Sequence, residues 1–395
     1  MIIQGKITLK KGKEHSIERF HPWIFSGAIQ TLEGAVEDGG WVEVKSYKGK
    51  VLGFGHYQNG SIAVRMLSQE AETPSQHFWV DKLRAAVTLR AAAGLPASSI
   101  NAFRLIHGEG DGLPGLIIDL YDGVAIMQAH SVGMHIDRHA ISAALQQVLG
   151  EGLKTVYYKS QSTLPGKMRS ADQDEYLFGM TAVPHVITEH GNKFFIDWEE
   201  GQKTGFFLDQ RENRKLLGDF SKGKHVLNTF CYTGGFSVYA LQAGAALVHS
   251  VDASEKAVAL TRKNIDLNGF NANYHTSYAE DTFDFLKDKQ GQYDVIILDP
   301  PAFAKHRDAR HQAVKGYQRL NMEAMKAIKS NGILFTFSCS QVVDRQLFYD
   351  TIVSAAIQAG RQIKVLYHLA QPADHPVSIF HPEGEYLKGL VLYVA

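Results

Sequence analysis

The chain has 395 residues, enough for two or three domains, and 45% of them are apolar, which suits several packed cores. Its 41 basic and 41 acidic residues cancel, so no overall field draws it to nucleic acid and any RNA or DNA contact must use a local patch. The two cysteines, Cys231 and Cys339, make neither a disulfide framework nor a zinc site and suit a reducing, cytoplasmic compartment; the N-terminus carries no apolar signal-peptide region, and no run of about 18 apolar residues marks a membrane span.

Residues 1–70 read as all-β. Alternating runs at 41–44, 51–55 and 62–66 are separated by the turns Asp38-Gly39-Gly40, Lys48-Gly49-Lys50 and Asn59-Gly60, the spacing of a small barrel. Between Lys10 and Trp23, the cations Lys11, Lys13 and Arg19 interleave with Phe20, His21 and Trp23. Charge beside exposed rings suits RNA, which offers both a phosphate backbone and unstacked bases. A solvated strand edge whose lysines deter pairing with other chains is the competing reading.

Residues 71–185 read as a mixed α+β region. A helix over 75–93 ends at Gly94-Leu95-Pro96, a strand follows at 103–107, and strands at 116–120 and 124–128 form a hairpin around Tyr121-Asp122-Gly123. Four glycines between 108 and 115 are turn chemistry rather than a phosphate loop, because no Gly-Lys-Ser/Thr follows and no helix starts there. A helix over 134–149 and a strand over 155–159 come next, and the polar stretch 169–175 is the expected domain joint. An exposed sheet edge in this region would allow a homodimer.

From 186 onward strands alternate with helices. After a hairpin (186–189 and 193–197), strands are expected at 225–229, 247–251, 274–277, 295–298, 332–337, 363–368 and 387–394. Helices are expected at 235–242, 255–267, 282–287, 312–328 and 345–358. The alternation predicts an α/β domain with a doubly wound sheet, whose ligands lie at the C-terminal strand ends. Those ends carry chemistry. The first strand runs into Phe230-Cys231-Tyr232-Thr233-Gly234-Gly235-Phe236, a glycine loop without the G-x-G-x-x-G that a pyrophosphate needs, so a nucleoside-type cofactor lacking phosphate, S-adenosylmethionine, fits better than a dinucleotide. Asp252 ends the second strand and can accept from both ribose hydroxyls; Asp281 follows the third and can reach an adenine amino group. Both also stand where helix N-caps belong. The strand 295–298 delivers Asp299-Pro300-Pro301, and the next apolar run, 332–337, delivers Ser338-Cys339-Ser340. A carboxylate and a thiol thus reach one rim from adjacent strands. Beyond Pro301, Lys305, Arg307 and Arg310 make the most basic local stretch, suited to a phosphate backbone.

At these residues the chain resembles a known family, the cytosine-C5 methyltransferases of large-subunit (23S) ribosomal RNA, RlmI-like, with an N-terminal PUA domain. The resemblance covers nearly the whole chain. His21-Pro22-Trp23-Ile24-Phe25-Ser26-Gly27-Ala28 is similar to the PUA part, and Gly110-Asp111-Gly112-Leu113-Pro114-Gly115 to the family's central domain. The eleven-residue run Gly201-Gln202-Lys203-Thr204-Gly205-Phe206-Phe207-Leu208-Asp209-Gln210-Arg211 is its most specific mark in the catalytic domain. The resemblance implies a PUA-like RNA-binding domain over 1–70, a central domain over 71–185 and a class I (Rossmann-like) methyltransferase domain over 186–395. S-adenosylmethionine would lie against Lys203, Thr204, Asp209, Arg211, Phe230, Tyr232, Gly234, Phe236, Asp252, Asp281, Asp299 and Pro300. Cys339 takes the position of the nucleophile and Asp299 that of its partner on the base, while Cys231 packs in the cofactor loop. Lys11, Arg19, Lys305, Arg307 and Arg310 are the expected RNA contacts, and no metal is implied. Two alternatives stay open: an RNA methyltransferase acting on another base or atom with a structural Cys339, and a non-catalytic RNA-binding assembly factor.

Overall fold

The computed structural model describes residues 2–165, 174–287, 289–304 and 306–395. The chain divides into two compact units, one formed by Met1–His185, Ile196–Leu208 and Ala373–Gly384, the other by Val186–Phe195, Asp209–Pro372 and Glu385–Ala395. Most of the expected joint at 169–175 lies outside the described residues. Among the described residues no helix is long and apolar enough to cross a membrane.

The first unit holds two sheets. Strands β1 (Ile3–Leu9), β2 (Trp23–Phe25), β3 (Ile29–Glu33), β4 (Trp41–Lys45), β5 (Val51–Tyr57) and β6 (Ile62–Ser68) pair in the order β2-β6-β5-β4-β1-β3. The alternating runs at 41–44, 51–55 and 62–66 lie in β4, β5 and β6. The first three strands escape sequence patterning: β1 is half polar along its length, β2 has three residues, and β3 keeps four of its five residues exposed. Strands β7 (Ala102–His107), β8 (Leu116–Tyr121), β9 (Val124–Ala129), β10 (Thr155–Tyr158) and β11 (Glu175–Phe178) form the second sheet in the order β11-β10-β9-β8-β7.

The single helix expected over 134–149 is two, Val132–Ile136 and Arg138–Leu149. They meet at Asp137, whose carboxylate accepts hydrogen bonds from Trp41 Nε1 at 2.9 Å and His56 Nε2 at 3.0 Å. Those two partners lie more than eighty residues upstream, so the break has no local signature.

The glycine-rich stretch after β7 is a turn built on a buried ion pair. Arg90 is 1% exposed and forks onto Asp111 at 2.5 and 2.7 Å, and the same carboxylate accepts the His107 N–H at 2.6 Å. Arg90 also donates to the carbonyls of Arg104 and Asp374. At Gly110 a Cβ would fall 1.9 Å from the Pro376 carbonyl oxygen, so only glycine fits there. Replacing Arg90 by Met should destabilise this unit by about 3–5 kcal/mol in urea titration, because Asp111 is left as a buried unpaired charge. Replacing both by apolar residues should recover most of that loss.

Strands β12 (His185–Glu189) and β13 (Asn192–Ile196) form a hairpin whose turn residues His190 and Gly191 both have positive φ, 47° and 82°, the type I′ geometry that matches strand twist. The second unit is then dominated by one sheet. Its strands are β14 (His225–Thr229), β15 (Leu247–Asp252), β16 (His275–Ala279), β17 (Tyr293–Leu298), β18 (Ile328–Ser338), β19 (Ile363–Leu369) and β20 (Lys388–Val394), in the order β16-β15-β14-β17-β18-β20-β19. The strands β16, β15, β14, β17 and β18 run parallel, and β20 inserts antiparallel between β18 and β19. Helices alternate with the strands, as the doubly wound pattern requires. In β17 Val295, Ile296, Ile297 and Leu298 are all at most 1% exposed, which is why its sequence reads as a continuous apolar run.

Candidate active site

The register fixes which residues share the rim. Leu298 of β17 pairs with Thr229 of β14 on one side and Thr336 of β18 on the other. Asp299, one residue beyond Leu298, and Cys339, one residue beyond the end of β18, therefore emerge from adjacent parallel strands at the same end of the sheet. Both are half-buried.

The loop leaving β14 is held in strained backbone. Phe230 and Tyr232 have φ of 53° and 44°, a left-handed conformation that costs a non-glycine residue on the order of 1 kcal/mol or more. The helix Glu255–Leu267 pins it: Thr261 Oγ1 donates to the Tyr232 carbonyl at 3.0 Å and Asn264 Nδ2 to the Thr233 carbonyl at 2.8 Å. Gly234, with φ of 74°, lies so close to Thr261 that a Cβ would sit 2.6 Å from its methyl group. Phe236 is 5% exposed and packs on Phe337, ring centroids 5.8 Å apart. Cys231 is buried beside Thr261, and burial pushes its thiol up to about 12. It is a packing residue. An alkylating reagent at pH 8 should label Cys339 and leave Cys231 unmodified, as read by peptide mass mapping.

The acidic strand ends are tied to nearby backbone N–H groups. Asp252 accepts the Tyr232 N–H on one oxygen at 3.0 Å and the Ser254 N–H on the other at 2.9 Å. Each carboxylate oxygen can accept a second hydrogen bond, so hydroxyl donors fit. Asp281 takes the N–H groups of Phe283 and Asp284 on Oδ1, at 2.8 and 3.2 Å, and stands exposed at the start of the helix Thr282–Lys287. Both acids stand at or just past C-terminal strand ends, β15 and β16. Asp209 accepts the Tyr386 hydroxyl at 2.6 Å, and the buried Arg211 donates to Glu212 at 3.0 Å.

Lys203 and Thr204 belong to the first unit. Lys203 has φ of 51° and its ammonium lies 4.3 Å from the Phe207 ring centroid. Thr204 is 1% exposed, donates to Asp119 at 2.6 Å and shares a 2.9 Å hydrogen bond with the Tyr121 hydroxyl. The turn before them is capped by the buried Lys159, which donates to the carbonyls of Trp198, Glu199 and Gly201.

Around Asp299 and Cys339 the structure adds three groups that the sequence did not single out. Ser340 Oγ donates to the Ala304 carbonyl at 2.8 Å, fastening the stretch after Pro301 to the end of β18. Tyr317, on the helix Arg310–Ala327, is fully buried under that stretch, with its ring 4.6 Å from Phe303. Burial, with the Cys339 and Asp299 charges nearby, pushes its phenol up to about 12. Lys388, the first residue of β20, is 6% exposed and pairs with Ser338. Pro300 is buried and Pro301 exposed.

Of the expected RNA contacts, Lys11 and Arg19 are exposed in the first unit. Arg310 is exposed in the second, 3.6 Å from Asp344. Lys305 lies outside the described residues, as does the side chain of Arg307.

The loop after β14, Asp252 and Asp299 thus lie at the C-terminal strand ends of a doubly wound sheet, the end at which such sheets bind ligands. Residues 103–377 match the family model described as S-adenosylmethionine-dependent methyltransferase, and residues 7–69 match one described as PUA-like domain. A protein from Streptococcus mutans described as a SAM-dependent methyltransferase shares the fold over 100% of both chains, with a TM-score of 0.83 at 23% identity. A methyltransferase structure complexed with SAH does so at a TM-score of 0.85 and 24% identity, again over 100% of both chains. Ribosomal RNA large subunit methyltransferase I of Aeromonas hydrophila is 38% identical over 99% of each chain, and that of Shewanella amazonensis 38% identical over 98% of this chain and 99% of its own. The chain belongs to this family of S-adenosylmethionine-dependent methyltransferases, and S-adenosylmethionine is its cofactor.

Proposed function

We propose that the protein methylates carbon 5 of a cytosine in large-subunit ribosomal RNA, with Cys339 as nucleophile and Asp299 as its partner on the base. The observation that carries this reading is the emergence of Asp299 and Cys339 from adjacent parallel strands at one end of the sheet. The names of the relatives and the PUA-like match support RNA as substrate. Work on newly made ribosomal RNA would take place in the cytoplasm.

Carbon 5 of cytosine is a poor nucleophile. Attack of the Cys339 thiolate on carbon 6 forms an S–C6 bond and moves the C5–C6 π electrons toward N3, so that carbon 5 becomes enamine-like. Asp299 would engage the N3/N4 edge in its protonated form, giving its proton toward N3 as the electrons arrive there and accepting from N4–H, and so stabilise that adduct. The cofactor, when bound, supplies a methyl group on a sulfonium and leaves as SAH. A water molecule would then take the carbon 5 proton, the C5–C6 double bond re-forms and Cys339 is expelled as thiolate. Asp252 would hold the ribose hydroxyls and Asp281 the adenine amino group. The strained loop with Phe230, Tyr232, Gly234 and Phe236, together with Pro300, Asp209 and Arg211, would line the cofactor. Lys203 and Thr204 remain part of the proposed cofactor set through the run they belong to, as Lys11, Arg19, Lys305, Arg307 and Arg310 remain the proposed RNA contacts. A target held in a helix must be flipped out or presented single-stranded, which favours free or partly assembled RNA over a finished subunit.

The test is transfer of labelled methyl from S-adenosylmethionine to unmodified large-subunit ribosomal RNA, followed by nucleoside digestion. Label in 5-methylcytidine supports the reading. Label in another nucleoside overturns the cytosine assignment and leaves a methyltransferase that uses Asp299-Pro300-Pro301 on a different atom.

A further inference from the structure

We propose that Lys388 is the counter-ion of Cys339, a buried positioning residue that holds the thiol in its thiolate form. The functional meaning of the pairing rests on the reading of Cys339 as nucleophile.

Lys388 is the one charged residue in β20, whose sequence is Lys-Gly-Leu-Val-Leu-Tyr-Val. At 6% exposure it is far more buried than lysines usually are without a partner. Its place is set by topology. Because β20 inserts antiparallel beside β18, Lys388 pairs with Ser338 at the very end of β18 that carries Cys339. Its Nζ donates to the Ser340 carbonyl at 2.7 Å, so the ammonium lies at the level of the strand end and the Cys339 peptide sits between its pairing partner and its hydrogen-bond acceptor.

The other charges facing this corner come from three elements and are engaged with one another. Asp344 caps the helix Arg345–Ala359 through the Leu347 N–H at 2.9 Å and lies 3.6 Å from Arg310; Arg345 pairs with Glu385. Close to Cys339 and Asp299 lies the neutral phenol of Tyr317. Burial lowers the Lys388 amine to about 8, and Cys339 is the neighbour that most favours its charged form. A cation beside a thiol lowers the pH at which the thiolate forms. A carboxylate such as Asp299 does the opposite, so a positive charge here favours the thiolate. A lysine serving only to tie the strand end to Ser340 would stabilise the fold and leave the thiol's titration untouched.

The test reads the thiol directly. The rate of Cys339 alkylation by iodoacetamide is followed against pH in the full-length protein, with peptide mapping to separate it from Cys231, for wild type, Lys388→Met and Lys388→Arg. SAH binding reports the integrity of the fold. The expected result is a midpoint about one pH unit or more higher in Lys388→Met, roughly a tenfold slower alkylation at pH 7, with Lys388→Arg close to wild type. An unchanged midpoint in a Lys388→Met protein that binds SAH overturns the pairing. If methionine disturbs the fold, Lys388→Gln replaces it in the same measurement and is read by the same two criteria. The outcome is independent of the nucleophile assignment: a Cys339→Ala enzyme that still methylates would remove that assignment, whereas an unmoved alkylation profile removes only the role of Lys388.

Discussion

Replacing Cys339 by alanine should lower methyl transfer by roughly 10⁴-fold or more while leaving S-adenosylmethionine binding within about twofold of wild type. The size follows from the chemistry. Without a thiolate on carbon 6 the ring offers no enamine, and positioning the cofactor cannot substitute for the missing electron density. The specificity of the loss follows from the structure: Cys339 lies just beyond β18, while the loop after β14, Asp252 and Asp281 sit on other strands of the sheet. Single-turnover transfer to ribosomal RNA and calorimetric titration with SAH check the two halves separately. Alanine also removes little buried volume at a half-buried position, so a thermal midpoint close to wild type is expected.

The second large effect is expected at Asp299. Asp299→Asn keeps the shape and removes the acid that can give a proton toward N3, and should slow transfer by roughly 10²–10³-fold with a much smaller change in the KM for RNA. The carboxylate leaves β17 at the rim and is followed by Pro300 and Pro301, whose fixed φ angles limit how far a substituted side chain can be re-aimed. A loss confined to kcat marks a group that acts when charge develops on the base. A proportional rise in KM with kcat unchanged would instead mark a group that only binds.

Much of this was legible in the sequence because the second unit is locally consistent. The helices at 235–242 and 255–267 occur within the alternation of strand and helix that predicts them, and β17 holds the continuous apolar run that a strand buried on both faces demands. Asp252, Asp299 and Cys339 could be read as rim residues because each stands at or just past the end of an expected strand. What stayed hidden depends on distant partners. Asp137 breaks a helix by binding Trp41 and His56. Tyr317 comes within electrostatic reach of Cys339 from a helix that sequence alone cannot orient. Lys388 matters only because β20 enters antiparallel beside β18, and the one local hint was a lysine opening an otherwise apolar strand. The left-handed backbone at Phe230 and Tyr232 has no sequence signature either, since neither residue favours it.

The measurement that bears most directly on the proposed reaction is trapping of the covalent adduct. Large-subunit ribosomal RNA carrying 5-fluorocytidine is incubated with the protein and S-adenosylmethionine; fluorine on carbon 5 cannot leave as a proton does, so the enzyme stays attached after methyl transfer. The account predicts a denaturant-resistant protein–RNA complex that requires the cofactor and maps by mass spectrometry to Cys339. Methylation of normal RNA at cytosine with no such complex, or a complex mapped to another residue, would contradict it.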